Sequence, residues 1–430
     1  MMTKKWQLYP TYKDSGVEWL GAIPEHWEVK KLKYISYLTM GQSPSSDDYN
    51  HEGYGSPFLQ GNAEFGNRHP QAKIFCATVN KYAEKGDILI SVRAPVGALN
   101  EADRRYGIGR GLCSIRPRDI IIRQFAWYLI QVVKVELNFL STGSTYEAVA
   151  VTDVSNLSCL LPPLPEQQKI AEFLDEETGK IDKLITKKER LIELLKEKRT
   201  ALISHAVTKG LNPDVPMKDS GVEWLGEIPE HWENWKISHA FQKIGSGTTP
   251  STNRYDYYDG DVPWINTSEL RENIITDTSV KITNKALLDN SVLNLYSPGT
   301  LLIAMYGATI GRLGILGITA CTNQACCALA NPILLDTKFV FYWLWMRRNE
   351  LIILSSGGGQ PNINQEKIRS IKIPAPPLPE QQKIAQFLDR ETSKIDNLIT
   401  KTRTSIDHLK EYRTALISAA VTGKIDVREN

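Results

Sequence analysis

PPLPEQQKIAEFLDEETGKIDKLITK, Pro162 to Lys187, returns almost unchanged as PPLPEQQKIAQFLDRETSKIDNLITK, Pro376 to Lys401. A second stretch behaves the same way. KDSGVEWLGAIPEHW, Lys13 to Trp27, recurs as KDSGVEWLGEIPEHW, Lys218 to Trp232, with only Ala22 exchanged for Glu227. Residues 28–161 and 233–375, which lie between arm and block in each copy, barely resemble one another. The offset between copies is 205 at the arm (Lys13 to Lys218) and 214 at the block (Pro162 to Pro376). A period this long is a duplicated domain with its helix rather than a solenoid unit. Two such copies predict a pseudo-two-fold arrangement.

After PPLPEQ the pattern turns helical. Pro165 suits a first turn and Glu166 suits the positive end of the helix dipole. Apolar residues then recur at alternating spacings of 4 and 3: Ile170, Leu174, Ile181, Leu184, Leu191, Leu195 and Leu202 in the first copy. The second has Ile384, Leu388, Ile395, Leu398, Leu409 and Leu416. Glu177 and Glu391 fill one place in each series, and Lys188, or Thr402 with Ser405, interrupts it. This is a coiled-coil seam. Neither stripe can be buried alone, so the two are expected to pair, antiparallel under the pseudo-two-fold. From Glu166 to Val207 such a helix measures on the order of 60 Å at ~1.5 Å per residue. Gly210, Pro213 and Pro216 stop the first helix.

Composition narrows the class. The chain has 430 residues, 42% hydrophobic and 23% charged, as in ordinary globular proteins. No apolar run reaches the ~18 residues of a membrane span, and the basic N-terminus lacks the apolar core of a signal peptide. Six cysteines form no CxxC pair and no histidine cluster has ligand spacing, so reduced cysteines, no metal and a cytoplasmic setting are expected. Net charge is only +2. Residues 30–125, however, hold 14 Lys and Arg against 9 Asp and Glu, whereas residues 166–207 hold 9 of each. A basic insert beside a balanced helix suits a nucleic-acid ligand on the insert, although a solvated surface can carry the same excess.

The inserts read as mixed strands and short helices. GDILISV (Gly86 to Val92) and GTLLIAM (Gly299 to Met305) are short buried strands. QFAWYLIQVV (Gln124 to Val133) and KFVFYWLWMR (Lys338 to Arg347) are buried helices. Most of the extra length of copy two falls before its GTLLIAM strand, where DDYNHEGYGSPFLQGNAEFGN (Asp47 to Asn67) faces YDYYDGDVPWINTSELREN (Tyr255 to Asn273). Both are expected to be loops. Their amides, hydroxyls and aromatics can meet base edges or stack on bases: Gln60 and Asn62, then Tyr257, Asn266 and Ser268, with Arg68 and Arg254 flanking them as basic candidates. A second loop precedes each PPLPEQ block. It offers Ser144 and Tyr146 in copy one, and Gln360, Asn362 and Asn364 in copy two, whose carboxamides can pair with adenine. Arg93, Arg104, Arg105, Arg110 and Arg312 can meet phosphates or guanine. Each candidate could equally be an ordinary surface residue.

No catalytic constellation is present. There is no GxxxxGK[ST] loop, and no NPPY-type amino-methylation motif. Glu28-Val29-Lys30 resembles half of a nuclease site, but copy two reads Glu233-Asn234-Trp235. His26 and His231 sit in the arm beside a Trp, where packing or partner docking explains them better than catalysis. A symmetric scaffold with no site of its own points to binding.

The arm, the PPLPEQ block and the closing RTALIS stretches (Arg199 to Ser204, Arg413 to Ser418) together resemble the specificity subunits of type I restriction–modification enzymes. The resemblance covers nearly the whole chain. It implies an α+β protein: two mixed α/β target-recognition domains related by a pseudo-two-fold and joined by two long antiparallel coiled-coil helices. The implied domains are 1–161 (arm and first target-recognition domain), 162–211 (central spacer helix), 212–375 (repeated arm and second target-recognition domain) and 376–430 (C-terminal spacer helix). Each target-recognition domain would read half of a bipartite, asymmetric site in double-stranded DNA, with half-sites about one turn, ~34 Å, apart. Two methyltransferase subunits and the restriction (motor) subunits would dock on the frame. The chain itself would need no cofactor; those partners would carry S-adenosylmethionine, ATP and Mg2+. The competing expectation is a scaffold whose two inserts hold protein or sugar ligands.

Overall fold

The computed structural model of the protein describes residues 6–137, 148–222, 225–353 and 362–428. The chain forms two compact units, one of residues 1–188 with 404–430 and the other of residues 189–403. Four helices organise them: α1 (Arg123–Val133), α2 (Leu164–Lys209), α3 (Thr337–Met346) and α4 (Leu378–Val421). Each long helix, α2 and α4, contributes residues to both units. Among the described residues no helix is long and apolar enough to cross a membrane.

Each unit begins with the repeated arm folded as a hairpin. Tyr12–Asp14 pairs with Ala22–Pro24, Lys13 opposite Ile23; Met217–Asp219 pairs with Glu227–Pro229, Lys218 opposite Ile228. The arm ends in Trp27 or Trp232, both fully buried. A two-stranded ladder then closes each insert: Glu28–Lys31 with Ser158–Leu161, and Glu233–Lys236 with Lys372–Ala375.

The expected apolar strands are the centres of the sheets. In the first unit Ile88–Ser91 lies between Leu99–Glu101 and Leu112–Pro117, and Ser36–Met40 completes an antiparallel four-stranded sheet. In the second, Leu301–Ala304 lies between Cys326–Pro332 and Leu313–Leu316. Phe241–Ser246 and Asn273–Ile275 form the edges. All four residues of both central strands are buried, as a run without polar alternation requires. Helix α1 buries Phe125, Leu129 and Val133, and α3 buries Phe339, Trp343 and Leu344 in one core with Leu301 and Ile303 of the central strand.

The length difference between the inserts is not carried by loops alone. Tyr49–Asn50 and Ser56–Leu59 are strands of a five-stranded sheet, and Tyr258–Ile265 is an eight-residue strand between Lys281–Ile282 and Cys321–Thr322. Gly, Pro and Asp in these stretches hid the strands from a propensity reading. Val262, Trp264 and Ile265 nevertheless pack into or against buried clusters.

The long helices pair antiparallel within each unit. Arg413 meets Asp182 in the first, at 2.9 and 3.3 Å, and Arg199 lies 3.4 Å from Asp396 in the second. Ile170, Leu174, Ile181, Leu195, Ile384, Leu388, Ile395, Leu409 and Leu416 are buried, and Leu202 is half-buried. Three seam positions are corrected. Leu184, Leu191 and Leu398 are exposed, at 39, 40 and 45%, while their neighbours Ile185, Ile192 and Ile399 are buried. The seam runs Leu174, Thr178, Ile181, Ile185, and later Leu388, Thr392, Ile395, Ile399. Each Leu-Ile pair satisfies a 4–3 pattern in either phase. Thr178 and Thr392, rather than Glu177 and Glu391, settle it: their hydroxyls bond the carbonyls of Leu174 and Leu388 at 2.6 Å and so can be buried.

Candidate nucleic-acid interface

The residues repeated most closely turn inward. Glu166 accepts from Trp27 Nε1 at 3.0 Å, lies 2.8 Å from His26 Nε2, and also accepts from the Tyr9 hydroxyl. Glu380 receives His231 at 2.8 Å and Trp232 at 3.4 Å. Gln167 is completely buried. Its Oε1 accepts from Ile122 N–H at 2.8 Å, and its Nε2 donates to the Ile120 and Pro162 carbonyls at 3.1 and 2.8 Å. Gln381 does the same for Asp336 N–H, Leu334 and Pro376, at 2.7, 3.1 and 2.8 Å. The Tyr128 hydroxyl donates to Asp175 at 2.7 Å and Tyr342 to Asp389 at 2.8 Å. Burial pushes the Tyr128 hydroxyl up to about 12 and raises that of Tyr342 as well. PEQ thus clamps arm, insert and long helix together, and internal packing explains why it is repeated. His26 and His231 belong to this clamp.

The rims of the inserts are different. In the first unit Gln60, Asn62, Arg93 and Arg110 line one cleft of about 530 Å3 with Ser43, Ser46 and Tyr49. No carboxylate of the described residues lines it. The Arg110 amide donates to Ser43 Oγ at 3.2 Å, and the guanidinium groups of Arg93 and Arg110 have no ion-pair partner among the described residues. Gly41 permits the crossing beneath: a Cβ there would lie 2.1 Å from Gly109 O. The Arg93 loop is tied down by Lys134, whose ammonium donates to Gly97 O at 3.0 Å; burial lowers the affinity of this amine for its proton.

The other expected arginines of this unit lie elsewhere in it. Arg68 pairs with Glu101 at 2.8 Å, Arg105 with Glu84 at 3.1 Å while stacked on Tyr82, and Arg104 lies over Tyr106. Ser144, Tyr146 and Gln360 fall outside the described residues.

The ladders place the matching rim of the second unit. Val92 N–H bonds Gly111 O and Val149 N–H bonds Val92 O; Met305 N–H bonds Ala325 O and Ile363 N–H bonds Met305 O. Gly109 N–H bonds Leu59 O, as Asn323 N–H bonds Ile265 O. Met40 faces Cys113 as Ser246 faces Cys327. Arg93 therefore corresponds to Tyr306, Arg110 to Gln324, Gln60 to Asn266 and Ser43 to Thr249. Thr249 Oγ1 donates to Gln324 Oε1 at 2.7 Å, and Tyr306 is 44% exposed.

Sequence reading missed Tyr306, Gln324, Thr249 and Ser43. The offsets held the signal: 213–214 at Tyr306 and Gln324, and 206 from Ser43 to Thr249. Of the residues it did name, Asn266 accepts from Ser268 N–H at 2.9 Å, capping a short helix. Arg254 is held by Asp256 through two 2.8 Å bonds, and that contact, with Lys285, keeps the carboxyl far below the usual range. Tyr257 is buried, its hydroxyl on Asp289 at 3.0 Å. Arg312 closes a hairpin through its backbone, Asn364 caps the helix Gln365–Ser370, and Asn362 is exposed and bridges Tyr306.

No cluster of His, Cys, Asp or Glu suited to a metal ion occurs among the described residues, and the six cysteines are unpaired and buried. Burial pushes the thiols of Cys113, Cys321 and Cys327 up to about 12.

Comparison with known proteins finds one family model twice in the chain. The model of the type I restriction modification DNA specificity domain matches residues 24–194 and again 229–408. A putative type I restriction enzyme MjaX specificity subunit of Methanocaldococcus jannaschii is 38% identical over 211 residues, 48% of this chain and 48% of that protein. The MjaIX specificity subunit of the same organism is 25% identical over 100% of this chain and 99% of its own. Among solved structures, one described as showing complex assembly and conformational transition of the type I R-M system superimposes with a TM-score of 0.74 at 18% identity, covering 93% of this chain and 98% of that one. The HsdS subunit from Thermoanaerobacter tengcongensis gives 0.56 at 18% identity, covering 94% and 98%.

Proposed function

Because this chain belongs to the family of type I restriction modification DNA specificity domains and is a non-catalytic specificity subunit of such a system, we propose that its two units read the unlike halves of one bipartite, asymmetric DNA site. The supporting observation is the contrast between clamp and rim. Equivalent backbone positions carry Arg93 and Arg110 in one unit, and Tyr306 and Gln324 in the other, over supports in which Gln167 and Gln381, and Tyr128 and Tyr342, make matching bonds. Side chains that hold the fold stayed alike, and side chains that would face bases did not. Cationic forks and carboxamides are the groups that read base edges in the major groove.

In this reading the frame docks two methyltransferase subunits and the restriction subunits. S-adenosylmethionine would reside in the former, and ATP with Mg2+ in the latter, within the cytoplasm. The chain's own share is recognition and placement of those partners on DNA.

The test is to co-express the full chain with its methyltransferase subunits and map adenine methylation across the host genome. One motif of two unlike half-sites separated by a fixed gap is expected. A palindromic motif, an uninterrupted one, or no motif would refute the reading.

A further inference from the structure

The two rims differ in a way that has a definite chemical meaning. Arg110 stands exposed between Gly109 and Gly111, its amide fixed by Ser43 Oγ at 3.2 Å. Like that of Arg93, its guanidinium has no carboxylate partner among the described residues, whereas Arg68, Arg105 and Arg116 are each held by one, at 2.8, 3.1 and 2.8 Å. A fork with donors only, and no acceptor of its own, faces a cleft lined by Gln60, Asn62 and Arg93. Guanine presents two acceptors, N7 and O6, along its major-groove edge. Adenine replaces one of them with a donor, and a donor-only fork cannot satisfy it.

At the equivalent position the second unit holds Gln324, one acceptor and one donor group on a single carboxamide. Thr249 Oγ1 donates to Gln324 Oε1 at 2.7 Å, which orients the amide and leaves Oε1 a second lone pair. That arrangement complements adenine, accepting from N6 and donating to N7. The second cation of the first rim is also gone, since Tyr306 stands where Arg93 does.

We propose that Arg110 and Gln324 are paired specificity determinants: Arg110 selects guanine in the half-site of the first unit and Gln324 selects adenine in the half-site of the second. This rests on the DNA-reading function proposed above. It goes beyond that function by assigning one base class to one residue in each half.

The experiment uses the full chain with its methyltransferase subunits and reads the methylated motif genome-wide for wild type, Arg110→Gln, Arg110→Lys and Gln324→Ala. Arg110→Gln should lower methylation at least about tenfold at sites carrying guanine at one position of one half-site, and leave the other half unchanged. Arg110→Lys should not restore full discrimination, because a point charge lacks the fork. Gln324→Ala should relax one adenine position, in the opposite half. A wild-type complex should also bind a duplex with 7-deazaguanine at the Arg110 position at least about tenfold more weakly, a measurement that needs no variant to fold.

An unchanged motif in Arg110→Gln, both variants altering the same half, or weakening spread uniformly over all sequences would overturn the assignment and leave the DNA-reading function standing. Uniform weakening would make Arg110 a phosphate contact. A wild-type complex with no bipartite motif would instead remove the function and the assignment together.

Discussion

The two units differ little in the clamp that ties insert to long helix and greatly at the rims. Gln167 and Gln381 make the same three bonds to the same backbone positions, and Tyr128 and Tyr342 sit on Asp175 and Asp389 in the same way. At the rim, Arg110 in one unit corresponds to Gln324 in the other, and the two side chains share no chemistry beyond their exposure. A duplicated domain can keep its backbone only if the buried, fully satisfied polar groups are kept, because losing one partner strands the others. A side chain at an exposed rim carries no such debt to the fold and is free to follow its ligand.

The largest effects are expected where the units are most alike. Ile185→Ala in the first unit and Ile399→Ala in the second should each cost about 3 kcal/mol in chemical unfolding of the full chain, since both side chains fill the helix seam. Leu184→Ala and Leu398→Ala, one residue earlier, should each cost under about 0.5 kcal/mol. The reverse order would restore the seam phase read from sequence and break the equivalence of the two helix pairs.

Gln167→Ala and Gln381→Ala come next. Each strands one buried N–H and two carbonyls, a loss of about 2 kcal/mol. Melting of the two variants should shift by similar amounts. A large drop for one alone would show that the clamps are not interchangeable.

The arms should differ measurably. Trp27 Nε1 reaches a buried Glu166 that also holds Tyr9 and His26, whereas Trp232 reaches a more exposed Glu380 at 3.4 Å, to which no tyrosine bonds among the described residues. Trp27→Phe is therefore expected to destabilise by about 1–2 kcal/mol and Trp232→Phe by no more than about half of that. Equal losses in thermal denaturation would mean that ring burial alone decides both.

Much of this was legible from the duplication. The hairpin arms, the buried GDILI and GTLLI strands, the helices α1 and α3 and the paired long helices all follow from period and repetition. The seam phase was not legible, because Leu184-Ile185, Leu191-Ile192 and Leu398-Ile399 each place an apolar residue in both candidate positions. It takes the buried hydroxyls of Thr178 and Thr392 to choose. At the rims, residue type misled in both directions. Arg68, Arg105 and Arg254 resemble nucleic-acid contacts in sequence, yet each has a carboxylate partner far along the chain or beside it. Tyr306 and Gln324 carry no signal as residue types; a tyrosine and a glutamine gain meaning there only because the ladders make them equivalent to Arg93 and Arg110.

The finest difference lies in the reciprocal ion pairs. Arg413 grips Asp182 through two nitrogens, at 2.9 and 3.3 Å, while Arg199 stands 3.4 Å from Asp396 and lies over the Trp345 ring at 4.8 Å. The offset of 214 places Gln131 where the second unit has Trp345. An aromatic face competes for the guanidinium and draws it off the carboxylate. Both pairs are solvent-accessible, so a double-mutant cycle should give Arg413–Asp182 a coupling of about 0.5 kcal/mol and Arg199–Asp396 close to none. Trp345→Gln should raise the second coupling to the level of the first. If it stays near zero in that background, the helix backbone rather than the tryptophan holds Arg199 away, and the two helix pairs differ in their own geometry.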